Sequence, residues 1–231
     1  TLDDIRAVGA DGVFFSNGPG DPATADAVVA LLTDVLDAIA ERVIPAFYVH
    51  DEATAINLGG WLSDNNVIDA FVASDSPELV AQVRRTHPII RGIIDYREAA
   101  ELDLMEVRRE ANTNLSRIVL LPQALVSKAD VEFLQRLLMT VWLGEQTSDL
   151  PASINGFNLV ATGPNGIVTA DPDAVIEVLE NAFPQDQVSL VRKPLIIGHR
   201  GTPGIAPENT LEGAWVAFER GSDMIENDIF V

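Results

Sequence analysis

Residues 195–231, LIIGHRGTPGIAPENTLEGAWVAFERGSDMIENDIFV, decide how the chain is read. The apolar run Leu195-Ile196-Ile197 ends at Gly198-His199-Arg200-Gly201, a pattern that predicts a buried strand delivering a histidine and an arginine into a loop. Gly201, Pro203, Gly204 and Pro207 punctuate that loop, and Glu208-Asn209 precede a helical pattern of Leu211, Ala214, Trp215 and Phe218 that Gly221 closes. A second strand is expected over 224–231. Strand side chains alternate with period 2, so Glu226 and Asp228 fall on one face and Asn227 on the other. Paired carboxylates repel unless a positive charge sits between them, and a hard divalent cation with oxygen ligands, Ca²⁺ or Mg²⁺, is the usual one. Plainer readings stand beside this. Asn209 with Glu212 three residues on also reads as an N-cap with a capping-box partner, Glu226 and Asp228 as the solvent stripe of an edge strand, and His199 as a satisfied core histidine. The company of Arg200, Glu208 and Glu226 favours a site.

The set G-H-R-G, P-E-N-T and E-N-D, in this order and spacing, resembles the opening of the glycerophosphodiester phosphodiesterase family. The resemblance implies a (β/α)8 barrel. It also implies that His199 is one of two catalytic histidines, that Arg200 contacts phosphate, and that Glu208 with Glu226 or Asp228 holds the metal. The second catalytic histidine and a further carboxylate ligand of that family are expected downstream of residue 231.

Composition narrows the field. The chain has 231 residues, 47% of them hydrophobic, enough for a sizeable core, and a formal charge of -20 from 15 Lys plus Arg against 35 Asp plus Glu. Nucleic acid and anionic membrane surfaces are poor partners for such a chain, because both need a basic face. An acidic enzyme acting on a phosphodiester would need a local positive site, which a bound metal and Arg200 would supply. Cysteine is absent, which excludes disulfides, thiolate zinc sites and a cysteine nucleophile, and leaves the compartment open. No signal-peptide pattern and no apolar run of about 18 residues appears, and a start at Thr1 reads as the start of an internal segment.

Residues 1–40 predict a strand over 12–16, a turn over 17–22 and a helix over 25–40. The run DGVFFSNGPGDPATAD, within residues 5–38, resembles the class I glutamine amidotransferase domain of the carbamoyl-phosphate synthase small subunit. That family places a nucleophilic cysteine after its next strand. Here the corresponding stretch is Ile44-Pro45-Ala46-Phe47-Tyr48-Val49-His50-Asp51, so amidotransferase chemistry is excluded. The segment reads as a spare strand-turn-helix unit with a junction near residue 40.

From residue 43 strands and helices alternate, with strands expected over 46–50, 69–74, 89–95, 117–121, 139–143 and 166–170. Such alternation implies a parallel sheet with helices outside. The class is α/β, a TIM-barrel-like (β/α)8 fold that is incomplete or composite, with an open doubly wound sheet as the alternative; the spacing favours the barrel. Met139-Thr140-Val141-Trp142 and the run from Asn165 to Pro172 resemble the closing strands of the same phosphodiesterase family. The expected division is an amidotransferase-like segment over 1–40, a degenerate phosphodiesterase-like barrel portion over 41–186 and the start of a catalytic barrel over 193–231. Strand ends in the middle portion offer His50-Asp51-Glu52, Asp75, Asp95 and Asp171. His50-Asp51 reads either as an acid-base pair or as a helix cap, His87 before Pro88 as solvated, and the helix over 128–138 as core. The expected function is metal-dependent hydrolysis of a small glycerophosphodiester; the alternative is a non-catalytic barrel used for binding or assembly.

Overall fold

The computed structural model describes residues 14–16, 33, 36–37, 44–144, 152–169, 171–182 and 196–228. Seven parallel strands lie side by side in chain order: β1 (Phe14–Ser16), β2 (Ala46–Tyr48), β3 (Phe71–Ser74), β4 (Arg91–Asp95), β5 (Ile118–Pro122), β6 (Thr140–Gly144) and β7 (Gly166–Val168). Six helices alternate with them: α1 (Glu52–Asp64), α2 (Pro77–Thr86), α3 (Leu104–Thr113), α4 (Lys128–Arg136), α5 (Ala152–Ala161) and α6 (Pro172–Ala182). A doubly wound sheet reverses its strand order and carries helices on both faces. Neither feature is present among the described residues, and the barrel-like alternative holds.

The two sheet faces separate by the period-2 rule. On the outer face Phe47, Val72, Ile94, Val119, Leu121, Val141 and Leu143 pack with the helix residues Leu62, Val80, Val107, Val131 and Leu134 in one buried cluster. On the inner face Tyr48, Ala73, Ile93, Ile118 and Leu120 form a second cluster to which no helix contributes, with Phe71, Trp142 and Val168 packed against it. The inner face shows how strongly the sheet curls. Phe71 and Trp142 lie on strands three apart, about 14 Å in a flat sheet, yet their rings meet edge to face with centroids 5.2 Å apart. Arg91 lies over the Phe71 ring at 4.4 Å from its centroid and pairs with Asp69, closing the lower rim. Among the described residues the sheet is a curled, incomplete barrel.

Strands 2 to 7 match the expected runs within three residues at either end. Apolar β-branched strands buried on both faces leave little ambiguity. The expected strand over 12–16 is present as Phe14–Ser16, and Thr33, Leu36 and Asp37 are helical within the stretch expected to be helix; the turn over 17–22 lies outside the described residues. Lys128–Arg136 is helical, started by a capping box between Ser127 and Asp130.

A separate two-stranded parallel sheet pairs β8 (Ile197–His199) with β9 (Met224–Glu226) across the helix α7 (Leu211–Glu219). Register places His199 opposite Glu226. β9 ends at Glu226, earlier than expected: Asn227 and Asp228 are outside the strand, and residues 229–231 lie outside the described set. Arg136 of α4 comes within 3.9 Å of Asp223 just before β9.

Candidate active site

The β8 strand delivers His199 and Arg200 into a loop that must fold back sharply onto α7. Arg200 and Asn209 both have left-handed backbones, at φ 54 and 58, and Gly201 sits at φ 85. A side chain at Gly201 would also collide with the backbone of Gly213 at 2.7 Å, so the loop can lie against α7 only with glycine at this position. Asn209 N–H donates to the Arg200 carbonyl at 3.1 Å, and the Asn209 side-chain oxygen accepts from Asp228 N–H at 2.9 Å. Asn209 therefore clamps the end of the second strand to the loop. The cap of α7 is its neighbour Thr210, whose hydroxyl accepts from Gly213 N–H at 3.1 Å, so the capping reading of Asn209 is corrected by one residue.

The five residues singled out in the sequence come together around Arg200. Its backbone N–H donates to Glu226 Oε2 at 3.1 Å, its Nη1 donates to Glu208 Oε2 at 3.3 Å, and its Nε lies 2.9 Å from Asp228 Oδ2 without the alignment of a hydrogen bond. The bond to Glu208, then the charges of Asp228 and Glu208, hold the guanidinium even further above neutrality than usual. His199 is largely exposed, with Nε2 3.9 Å from Glu226 Oε2. Glu226 and Asp228 do face the same side, although Asp228 has left the strand. The positive charge between the carboxylates is the guanidinium. Three carboxylates are the right donor chemistry for a hard cation, but as folded they close on Arg200, and among the described residues no group of three or more His, Asp or Glu is gathered to hold an ion.

The carboxyl-end residues of the large sheet have other duties. Asp51 caps α1, accepting from Thr54 N–H at 2.8 Å and from the Thr54 hydroxyl at 2.7 Å, and these bonds pull its carboxyl below the usual range. Asp171 likewise accepts from Ala174 N–H at 3.1 Å at the start of α6. His50 lies with its ring centroid 4.6 Å from that of Tyr48. His87, expected to be solvated, is half-buried with Nε2 2.6 Å from the Val67 carbonyl, because the extended turn before Pro88 folds the ring back onto the loop before β3. Asp51→Ala should lower unfolding free energy by about 1 kcal/mol, the usual value of a lost N-cap. The folded-state pKa is depressed, so this contribution is present above the unfolded carboxylate pKa and is lost as pH falls through the folded one. Urea unfolding of both proteins at pH 7 and in acid checks it: the gap between them should close at low pH.

One cluster was not anticipated. Buried Asp95, at the end of β4, accepts from Tyr48 O–H at 3.1 Å, from Arg97 N–H and Nε at 3.0 Å and from Arg97 Nη2 at 2.7 Å. Burial first, then the Asp95 charge, pushes the Tyr48 phenol far up, and the bond to Asp95 raises Arg97. The Arg97 stem crosses β6 where Gly144 offers no side chain. The available signal was Asp95 at a strand end with Arg97 two residues on.

No model of a known protein family matches the chain. A carbamoyl phosphate synthase small chain from Streptomyces avermitilis is 67% identical over 36 residues, 16% of this chain and 10% of that one. Among solved structures, a putative glycerophosphodiester phosphodiesterase from Galdieria sulphuraria superposes with a TM-score of 0.57 at 11% identity, covering 67% of this chain and 63% of that one. A glycerophosphodiester phosphodiesterase from Parabacteroides distasonis gives 0.53 at 14% identity, covering 67% and 64%. A mandelate racemase/muconate lactonizing enzyme-like protein from Rubrobacter xylanophilus gives 0.52 at 15%, covering 73% and 48%. The chain thus spans about a tenth of the curated relative and less than two thirds of these solved chains. It shares the barrel-type fold of the phosphodiesterases, and a short segment of it is close to the carbamoyl phosphate synthase small chain.

Proposed function

We propose that residues 193–231 begin a glycerophosphodiester phosphodiesterase-type catalytic barrel, a phosphoric diester hydrolase unit, and that residues 41–186 form a related barrel portion without catalysis of its own. The convergence of His199, Arg200, Glu208, Glu226 and Asp228 on one loop carries the reading. The second half of the proposal is supported by the strand-end carboxylates Asp51, Asp95 and Asp171, each already committed to a cap or an internal ion pair. Residues 1–40 are read as an amidotransferase-like segment, which lends β1 to the edge of the large sheet.

In this proposal the substrate is a small glycerophosphodiester and the products are glycerol 3-phosphate and an alcohol. Water oxygen forms a bond to phosphorus, the bond from phosphorus to the leaving oxygen breaks, and a proton must reach the leaving alkoxide. His199, exposed beside Glu226 with Nε2 3.9 Å from Oε2, holds or moves a proton at Nε2. Arg200 offers a planar donor edge to two phosphoryl oxygens. Glu208, Glu226 and Asp228 would hold Ca²⁺ or Mg²⁺, which when bound would polarise the phosphoryl oxygen. Nothing here calls for nucleic acid, and among the described residues no helix is long and apolar enough to cross a membrane.

Calorimetric titration with Ca²⁺ and with Mg²⁺ tests the cation site apart from turnover. One ion per chain is expected, bound about tenfold or more weakly after Glu226→Gln, since each lost charge-assisted ligand is worth about 1.5–3 kcal/mol. Arg200→Gln should tighten binding, because it removes the cation now lying among the carboxylates. If the Glu208→Gln, Glu226→Gln, Asp228→Asn triple variant binds the ion as tightly as the parent, the assignment is wrong.

A further inference from the structure

Thirty-five acidic and 15 basic side chains make the chain strongly negative, yet one cleft reverses the sign. It measures about 580 Å³ and is lined by Arg84 near the end of α2, Arg108 and Asn112 of α3, and Leu115 and Arg117 of the turn into β5, with no acidic side chain among its lining residues. This is the amino-terminal edge of the large sheet, at the opposite end of the strands from Asp95 and His50.

The cleft is built with strained and unsatisfied groups. Arg84 donates through Nη2 to the Pro88 carbonyl at 2.7 Å and through Nη1 to the Leu115 carbonyl. Leu115 aims that carbonyl from a left-handed backbone at φ 60, a costly conformation for a bulky side chain. Its neighbour Ser116 is buried and locked by bonds to the Gly92 and Ile118 carbonyls at 2.6 and 2.9 Å, so the turn is fixed. Arg84 Nε and Arg108 Nε are both buried with no partner, and among the described residues neither Arg108 nor Arg117 makes an ion pair. A buried N–H left unsatisfied costs stability, and an oxygen arriving from a ligand would remove that cost.

We propose that this cleft binds a small phosphorylated molecule, its phosphoryl oxygens held by Arg108 and Arg117 and its organic part lying against Leu115 and Leu137. Guanidinium forks match phosphate oxygens in shape as well as in charge, and the volume falls in the range of small-ligand sites, about 300–1,000 Å³. Arginines also gather near helix carboxyl ends to offset the macrodipole. Arg84 is instead committed to the Pro88 and Leu115 carbonyls and holds the turn. Arg108 and Arg117 make no such bonds and are left for the ligand. The site is independent of the phosphodiesterase reading, since none of its residues belongs to the Arg200 loop.

The test is calorimetric titration of the full chain with inorganic pyrophosphate, and in parallel with inorganic phosphate and glycerol 3-phosphate, at one low ionic strength so that screening is constant. Pyrophosphate is expected to bind saturably, one per chain. Arg108→Gln and Arg117→Gln should each weaken it about tenfold, the value of one lost charge-assisted contact, while the melting temperature without ligand does not fall below the parent value. Glycerol 3-phosphate binding more tightly than inorganic phosphate would show that the apolar wall is used and supports the proposal. Absence of saturable heat with any of the three, or equal affinity in the Arg108→Gln, Arg117→Gln double variant, overturns it. So does a melting temperature that falls in the ligand-free variants while affinity is unchanged, which would make the arginines structural.

Discussion

Asp95→Ala should destabilise the chain by about 3 kcal/mol, the lower end of what breaking a buried ion pair costs. The carboxylate is the hub of the inner face: it takes the Tyr48 phenol across β3 and grips Arg97 at both oxygens. Its loss leaves one guanidinium without its counter-charge and one phenol without its acceptor. The Arg97 side chain is 33% exposed, so water can reach it, and this keeps the expected cost from the top of the range. Removing both charges should be far milder. Asp95→Leu combined with Arg97→Met, whose flexible side chain can take up part of the stem packing beside Gly144, is expected to recover most of the stability. Urea unfolding with a constant m-value provides the measurement. A single-variant cost below about 1 kcal/mol would mean that the cluster is no more than a surface ion pair.

This cluster also marks how far the sequence could be read. Runs such as Ile93-Ile94 and Val119-Leu120-Leu121 are apolar on consecutive positions, a pattern that only a strand buried on both faces needs, and they locate the sheet. Asp51 before Glu52 announces a helix start for an equally local reason. Tyr48 and Asp95 are 47 positions apart and meet only because the sheet curls over Ala73. No local pattern encodes that curvature. The Arg200 loop divides in the same way: residue types and spacing were legible, but which cation the carboxylates would find was not, since it depends on a left-handed backbone at Arg200 that turns its guanidinium inward. The sequence pattern pointed to Asn209 as the cap, but Asn209 is taken up by the loop and its neighbour Thr210 caps the helix. The arginine cleft was invisible for a further reason. Arg84, Arg108 and Arg117 come from two helices and the turn into β5, and each alone reads as a solvated charge.

The reading of the Arg200 loop makes its strongest demand on His199. In a protein that carries this loop within a complete barrel and turns over glycerophosphocholine, His199→Ala should lower the rate of glycerol 3-phosphate release by about 10²–10⁴-fold, the range for a positioned acid or base. The present chain by itself should be slow. Hydrolysis needs one group to manage the attacking water and another to protonate the departing alkoxide, and His199 is the one histidine that the described residues bring to this loop. His50 is at the carboxyl end of β2 in the other sheet, its ring tilted against that of Tyr48, so His50→Ala should leave the rate unchanged. One substitution separates a proton-transfer role from a packing role. His199→Gln retains a polar side chain of similar reach but cannot take up a proton, so it should be as slow as alanine. Folding is not at stake, since His199 is largely exposed and both variants should melt with the parent. If His199→Ala keeps more than about a tenth of the parent rate, which corresponds to a loss of about 1.4 kcal/mol, His199 is not the acid or base and the proposed site loses its catalytic centre.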